Sequence, residues 1–249
     1  VHVGVVAVGQ LRDERVGTHG ASGGADLVHD LLRGARRGVR AVEPDAIVTT
    51  GGASFSNELG GADNVEVRVG PYSVRAEGDP ALLDRLVIQR DGNSLRVGRR
   101  NRMSWSKGSV RVIVTMPRIE EAAIAGSGDL RVARAEGARF RGAISGSGNL
   151  AVDDMRAGEV EFGISGSGDV TAAGQAQALT VRIAGSGDVQ ARGLSATRAT
   201  VSVAGSGDVS ATVRGPADVR LAGSGDIDLG PDARCTTRKS GSGTVRCHA

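Results

Sequence analysis

Gly126-Ser127-Gly128-Asp129 is the stretch on which the fold turns, because it returns until the chain ends. Its first glycine recurs at Gly146, Gly166, Gly185, Gly205, Gly223 and Gly241, giving seven copies spaced 20, 20, 19, 20, 18 and 18 residues apart. Self-similarity of this period is the signature of a repeat protein. Apolar and polar residues alternate before each copy, as in Val160-Glu161-Phe162-Gly163-Ile164 and Leu179-Thr180-Val181-Arg182-Ile183. The alternation resumes afterwards, as in Val170-Thr171-Ala172 and Val209-Ser210-Ala211. A period of two marks half-buried strands, so each unit reads strand, bend, strand.

One such unit has no second apolar face to bury against, so the units must stack and share a core. Repeats of 18 to 20 residues suit the coils of a β-solenoid, an all-β fold whose rungs lie about 4.8 Å apart. Equivalent residues then form columns. The paired glycines mark a corner where a Cβ would collide with the next coil or where φ is positive. Between them lie Ser127, Ser147, Ser167, Ser186, Ser206, Ser224 and Ser242, hydroxyls placed to bond from rung to rung.

Composition agrees with a narrow core. Phe55, Phe140, Phe162, Tyr72 and Trp105 are the whole aromatic supply beside 39 glycines, so Val, Ile, Leu and Ala must fill the interior in thin layers. The net charge of +3, from 31 basic and 28 acidic residues, is too balanced to imply a nucleic-acid partner. No apolar run approaches the roughly 18 residues of a membrane helix, so an integral membrane protein is not expected.

Three segments follow from the patterning. Residues 1–52 form a leader expected to be poorly ordered, a misassigned start or a degraded signal region: it opens on Val1, and Val1 to Gly9 only weakly imitates the apolar run of an export signal. Within it Ala25 to Arg33 carries a short amphipathic helix pattern. Residues 53–117 are expected to be a β lead-in that caps the solenoid. Val65 to Val69, a turn at Gly70-Pro71-Tyr72 and Ser73 to Ala76 read as a hairpin, and Pro80 sits near the start of a short helical turn over Ala81 to Leu86. Leu86 to Gln89, Asp91-Gly92-Asn93 and Leu95 to Val97 read as strand, turn, strand, and Val110 to Met116 forms a last strand. Residues 118–249 are the solenoid itself.

The whole pattern resembles a known family. Val74-Arg75-Ala76-Glu77-Gly78-Asp79, then Asn93-Ser94-Leu95-Arg96-Val97, a strand closing on Met116-Pro117 and serial GSGD coils is similar to the bacterial "putative auto-transporter adhesin, head GIN domain" family over about residues 62–249. The resemblance implies an exported protein of the bacterial envelope, in the periplasm or at the cell surface, with a right-handed β-helical fold. This chain departs from a self-sufficient autotransporter in ending at Ala249 without a membrane barrel, and from a lipid-anchored protein in having no cysteine near its amino end.

The residue after each bend is Asp129, Asn149, Asp169, Asp188, Asp208, Asp226 or Thr244. A column of carboxylates one rung apart is a candidate calcium site, with Asp169, Asp188, Asp208 and Asp226 as ligands. The competing role is structural, each side chain accepting a backbone N–H to close its bend as an Asx turn. Asn149 and Thr244 keep that capacity without adding charge, which favours turn closure; calcium is the less favoured cofactor, and no other is expected. Neighbouring carboxylates also have the separation of a retaining glycosidase pair, yet repeated Asp residues in equivalent settings give no reason for one to be acid and its neighbour base.

No catalytic residue is expected. His2, His19, His29 and His248 all lie outside the repeats, so no Ser/His/Asp arrangement forms on the solenoid, and a zinc site from the first three lacks organised spacing. The glycines form neither a phosphate-binding loop nor a dinucleotide fingerprint. Cys235 and Cys247 each lie six residues from Gly241. If the bend folds back on itself the thiols meet across paired strands, so a disulfide and an oxidising compartment are expected. Arg99, Arg100, Arg102, Trp105 and Lys107 form the most basic stretch and the candidate contact for a polyanion. The function read from the sequence is therefore non-enzymatic, an envelope adhesin or scaffold that meets a surface glycan or envelope component. A calcium-dependent glycan-binding module is the alternative, and a polysaccharide-cleaving β-helix enzyme a more distant one.

Overall fold

The computed structural model describes residues 39–42, 54–57, 63–91, 94–99 and 110–247. The expected amphipathic helix, all four histidines and the basic-stretch residues Arg100, Arg102 and Lys107 with Trp105 lie outside them.

The lead-in contains β1 (Val39–Val42), β2 (Ser54–Asn57), β3 (Asn64–Val69), β4 (Ser73–Glu77), α1 (Pro80–Leu83), β5 (Leu86–Asp91), β6 (Ser94–Arg99) and β7 (Arg111–Met116). Helix α1 forms because Asp79 caps it, its Oδ1 accepting from Ala81 N at 2.8 Å, and Pro80 presets the first turn. Leu82 and Leu83 are buried beneath it. β5 and β6 make the expected antiparallel hairpin. β3 and β4 do not pair with each other. β7 lies between them, parallel to β3 and antiparallel to β4, while the far edge of β3 runs parallel to the first coil. The physical reason is that β7 buries Val112, Val114 and Met116 and supplies the long-range parallel partner that a coil needs, so the turn at Gly70 carries the chain around β7. β1, inside the segment expected to be poorly ordered, adds antiparallel to β4.

The solenoid follows as β8 (Glu121–Gly126), β9 (Leu130–Val132), β10 (Ala135–Gly146), β11 (Leu150–Gly166), β12 (Val170–Gly185), β13 (Val189–Gly205), β14 (Val209–Val213), β15 (Pro216–Gly223), β16 (Ile227–Asp228), β17 (Arg234–Ser240) and β18 (Val245–Arg246). Each strand pairs parallel with its counterpart one repeat away, giving a stack of about six turns. The bend glycines stay in register throughout: Gly126, Gly146, Gly166, Gly185, Gly205 and Gly223 are successive partners. Differences in repeat length are absorbed at the other corner, where the register shifts between Val152 and Met155, Thr171 and Ala173, and Ala191 and Ser195.

Register converts the alternating pattern into columns of buried side chains. Ile124, Ile144, Ile164, Ile183, Val203 and Leu221 stack on the side entering the bend, and Leu130, Leu150, Val170, Val189, Val209 and Ile227 on the side leaving it. Each such side chain contributes about 1.5–3 kcal/mol on burial. Phe140 and Phe162, the largest fully buried side chains among the described residues, pack edge to face with centroids 6.4 Å apart. Gly142, the register partner of Phe162, makes room for it: a Cβ there would lie 2.6 Å from Leu150 and 2.8 Å from the Phe162 ring.

Candidate functional site

The bend is built by two glycines with different tasks. The first takes a positive φ, 133° at Gly166 and 140° at Gly205. A Cβ there would also meet the carbonyl of the preceding coil's glycine, 2.2 Å away at Gly166. The second has no such φ, yet a Cβ on Gly168 would lie 2.0 Å from the Gly148 carbonyl. Both expectations for the glycines are therefore met. The close approach lets one carbonyl accept twice: Gly126 O receives Ser147 N at 2.9 Å and Gly148 N at 3.0 Å, and Gly146 O receives Ser167 N and Gly168 N in the same way.

That arrangement leaves the fourth bend amide without a carbonyl, and the Asp column supplies the acceptor. Asn149 N donates to Asp129 Oδ1, Asp169 N to Asn149 Oδ1, Asp188 N to Asp169 Oδ1, Asp208 N to Asp188 Oδ1, Asp226 N to Asp208 Oδ1 and Thr244 N to Asp226 Oδ1, at 2.7–3.2 Å. The bond expected to close each bend locally as an Asx turn instead crosses to the next coil. A local turn would satisfy an amide of the same coil, whereas the amide lacking a partner belongs to the coil above. Asn149 serves as well as Asp because only one oxygen is required, and its Nδ2 also donates to Asp129 at 2.9 Å. Thr244 is the last member of the series among the described residues. Of the serine hydroxyls, Ser242 donates to Ser224 at 3.2 Å.

Each aspartate in the calcium candidate therefore has one oxygen committed to a backbone amide, and among the described residues no group of three or more His, Cys, Asp or Glu converges as a metal site would require. The equivalent settings also leave neighbouring carboxylates without the asymmetry that separates an acid from a base.

Arg99 turns inward rather than toward a ligand. Its Nε donates to Oδ2 of the fully buried Asp63 at 2.6 Å, a second guanidinium nitrogen bonds Oδ1, and Val110 N donates to the same Oδ1 at 3.0 Å. This buried fork ties β6 to the strand-entry residues of β3 and β7. Sequence reading missed it, since a lone Asp before a strand carries no local signal of a partner 36 residues away.

Cys235 and Cys247 form the expected disulfide, with Cα atoms 6.0 Å apart. The route to it differs from the hairpin expected. β17 and β18 do not pair with each other; they stack on β15 and β16, and the bridge spans the two sides of the last coil.

The outer surface of the strands entering the bends carries charged and hydroxylic side chains in register. Arg139 bonds Glu159 at 2.7 Å across one rung, and Arg182 pairs with Glu161. The Arg139 hydrogen bond and charge hold the Glu159 carboxyl below the usual carboxylate range. Shallow grooves run between these residues: one of about 300 Å³ is bordered by Arg139, Glu159, Arg182 and Arg198, and one of about 170 Å³ by Thr200, Ser202, Asp218, Arg220, Thr236 and Arg238. No helix among the described residues is long and apolar enough to cross a membrane.

Comparison with known proteins agrees with this architecture. The family model for "Putative auto-transporter adhesin, head GIN domain" matches residues 57–248. Similar solved structures include a putative adhesin of Bacteroides fragilis, at TM-score 0.72 and 18% identity over 84% of this chain and 95% of that one. A putative lipid binding protein of Parabacteroides distasonis matches at TM-score 0.63 and 17% identity, again over 84% and 95%. A putative adhesin of Parabacteroides merdae matches at TM-score 0.57 and 16% identity with the same coverage. At these identities the likeness concerns the fold. No protein of curated function matches the chain.

Proposed function

From the premise that this chain belongs to the "Putative auto-transporter adhesin, head GIN domain" family, we propose that it is a non-enzymatic adhesive solenoid of the bacterial envelope, which meets its target through its outer ladder faces. The observation that carries this reading is the division of labour among the polar residues. The bend carboxylates each commit one oxygen to a backbone amide of the next coil and so hold coil to coil. The remaining polarity lies on long, shallow, regularly spaced faces, which suit an extended partner better than a small substrate. The disulfide at the end of the stack is in keeping with an oxidising, exported location.

The test is protease treatment of intact cells carrying the gene with its native upstream region, followed with an antibody against the repeats. Cleavage on whole cells, together with loss of attachment to glycan- or matrix-coated surfaces when the gene is deleted, is the expected result. Protection until the envelope is broken would replace adhesion with an internal scaffold. A calcium-dependent rise in melting temperature would instead favour the glycan module that needs the ion.

A further inference from the structure

The strands entering the bends change character along the stack. In the earlier coils outward charges are balanced: Arg139 pairs with Glu159, Arg182 with Glu161, and Arg141 stands in register between Glu121 and Glu161. In the last three rungs they are not. The outward positions there are Arg198, Thr200 and Ser202 on β13, Asp218 and Arg220 on β15, and Arg234, Thr236 and Arg238 on β17. Four guanidiniums thus face solvent with one carboxylate among them. Among the described residues Arg220, Arg234 and Arg238 enter no ion pair, and Arg198 feels only the longer-range field of Glu159.

Register sharpens the imbalance. Ser202, Arg220 and Arg238 are successive partners, as are Thr200, Asp218 and Thr236. Arg220 and Arg238 therefore stand directly opposite each other on neighbouring strands, a like-charge pairing that destabilises a sheet. Protection of an open sheet edge accounts for cations on β17, the last rung. It does not account for Arg198 and Arg220, which lie on rungs covered on both edges.

We infer that this face is a docking surface for an acidic polysaccharide, with Arg198, Arg220 and Arg238 holding its carboxylates and Thr200, Ser202 and Thr236 bonding its hydroxyls. Guanidiniums fork onto carboxylates. One rung advances about 4.8 Å, close to the length of one pyranose in an extended chain, so a polymer laid along the Ser202, Arg220 and Arg238 column meets successive rungs in step, while Arg198 flanks that column four residues from Ser202 on β13. The groove bordered by Arg220 and Arg238 holds about 170 Å³, room for a sugar ring edge rather than for an enclosed ligand. The face carries no aromatic side chain on which a nucleobase could stack, and Val69, the large apolar residue exposed among the described residues, lies far away on β3, so neither single-stranded nucleic acid nor a bilayer is the better fit. Asp218 opposes the anion and tempers its affinity.

This inference deepens the adhesive reading and rests on it, yet the two fail separately. Absence from the cell surface removes adhesion, whereas the binding test uses purified protein. Immobilised full chain is titrated with polygalacturonate, with neutral dextran as control, at low and physiological ionic strength. Polygalacturonate should bind and dextran should not, with affinity falling as salt rises. R198S/R220S/R238S should lose about tenfold or more in affinity, and D218N should bind more tightly than the parent. If the triple variant melts below the parent, R220S alone, assayed where it is folded, carries the test. No binding by the parent at low salt, unchanged affinity in the arginine variants, or equal binding of a single-stranded oligonucleotide would each overturn the assignment.

Discussion

An interior coil and the last coil carry the same bend but different walls. In β15 the inward residues are Ala217, Val219 and Leu221, all buried; their partners in β17 are Cys235, Thr237 and Lys239. Thr237 and Lys239 are exposed, and Lys239 Nζ donates to Gly243 O at 2.9 Å. The glycines persist to the end, whereas the aspartate gives way to Thr244. What each residue serves explains the difference. A bend glycine makes room for the carbonyl of the coil before it, so the last coil still needs it. A bend aspartate accepts from the coil after it, and among the described residues no coil stacks on Thr244.

The comparison breaks most severely at the glycines. Gly166→Ala forces a Cβ against Gly146 O at 2.2 Å and a positive φ on alanine, between two fixed coils. A loss of about 2–6 kcal/mol is expected, or failure to fold. Gly243→Ala meets Gly225 O at 2.0 Å, but it has no positive φ and among the described residues no coil stacks beyond it, so this rung can lift and the loss in urea melts should be much smaller. Equal losses would contradict the account.

Next in size is the disulfide, which closes a sequence separation of 12 at the open end. C235S/C247S should cost about 3 kcal/mol, with hydrogen exchange rising in β17 and β18 while the interior coils stay protected. Uniform loosening of the stack would show that the bridge is not a terminal pin.

At the aspartate ladder, Asp188→Ala strands the amide of Asp208 and should cost about 1–3 kcal/mol. Asp188→Asn keeps the acceptor, as Asn149 does, and should be nearly neutral in the same melts; a large loss in the Asn variant would mean that charge, not acceptance, matters there. Thr237→Val with Lys239→Leu makes the last coil resemble an interior one. The expected result is concentration-dependent end-to-end association by light scattering, because the polar rung that discourages a further partner is gone.

The smallest effect concerns the matched rungs. The folded pKa of Glu159 is depressed by Arg139, so its contribution is complete above the ordinary carboxylate pKa and disappears as pH falls through the depressed value. Melting curves of E159Q and the parent should differ slightly at neutral pH and converge in acid; a gap that widens in acid would reverse the sign.

Much of this was legible in the repeats. Alternation located the strands, the constant glycines located the bends, and the spacing implied stacked coils, because each is a local consequence of a period of two or of a missing Cβ. The pairing of Cys235 with Cys247 was also within reach, since both flank one bend at equal distance. The insertion of β7 between β3 and β4 was not, because a turn sequence at Gly70 says where the chain reverses and not which strand fills the gap. Nor was the direction of the aspartate bond, which depends on which coil holds the amide in need.

By itself, then, the sequence determined the coil, its bend and the columns of its core, since those follow from periodicity and sterics repeated in every unit. The tertiary structure decided what no single unit contains: the path through the lead-in, the burial of Arg99 against Asp63, and the run of arginines left without acidic partners on the last rungs. Those features depend on register between residues that lie far apart in the chain, and register exists only once the coils are stacked.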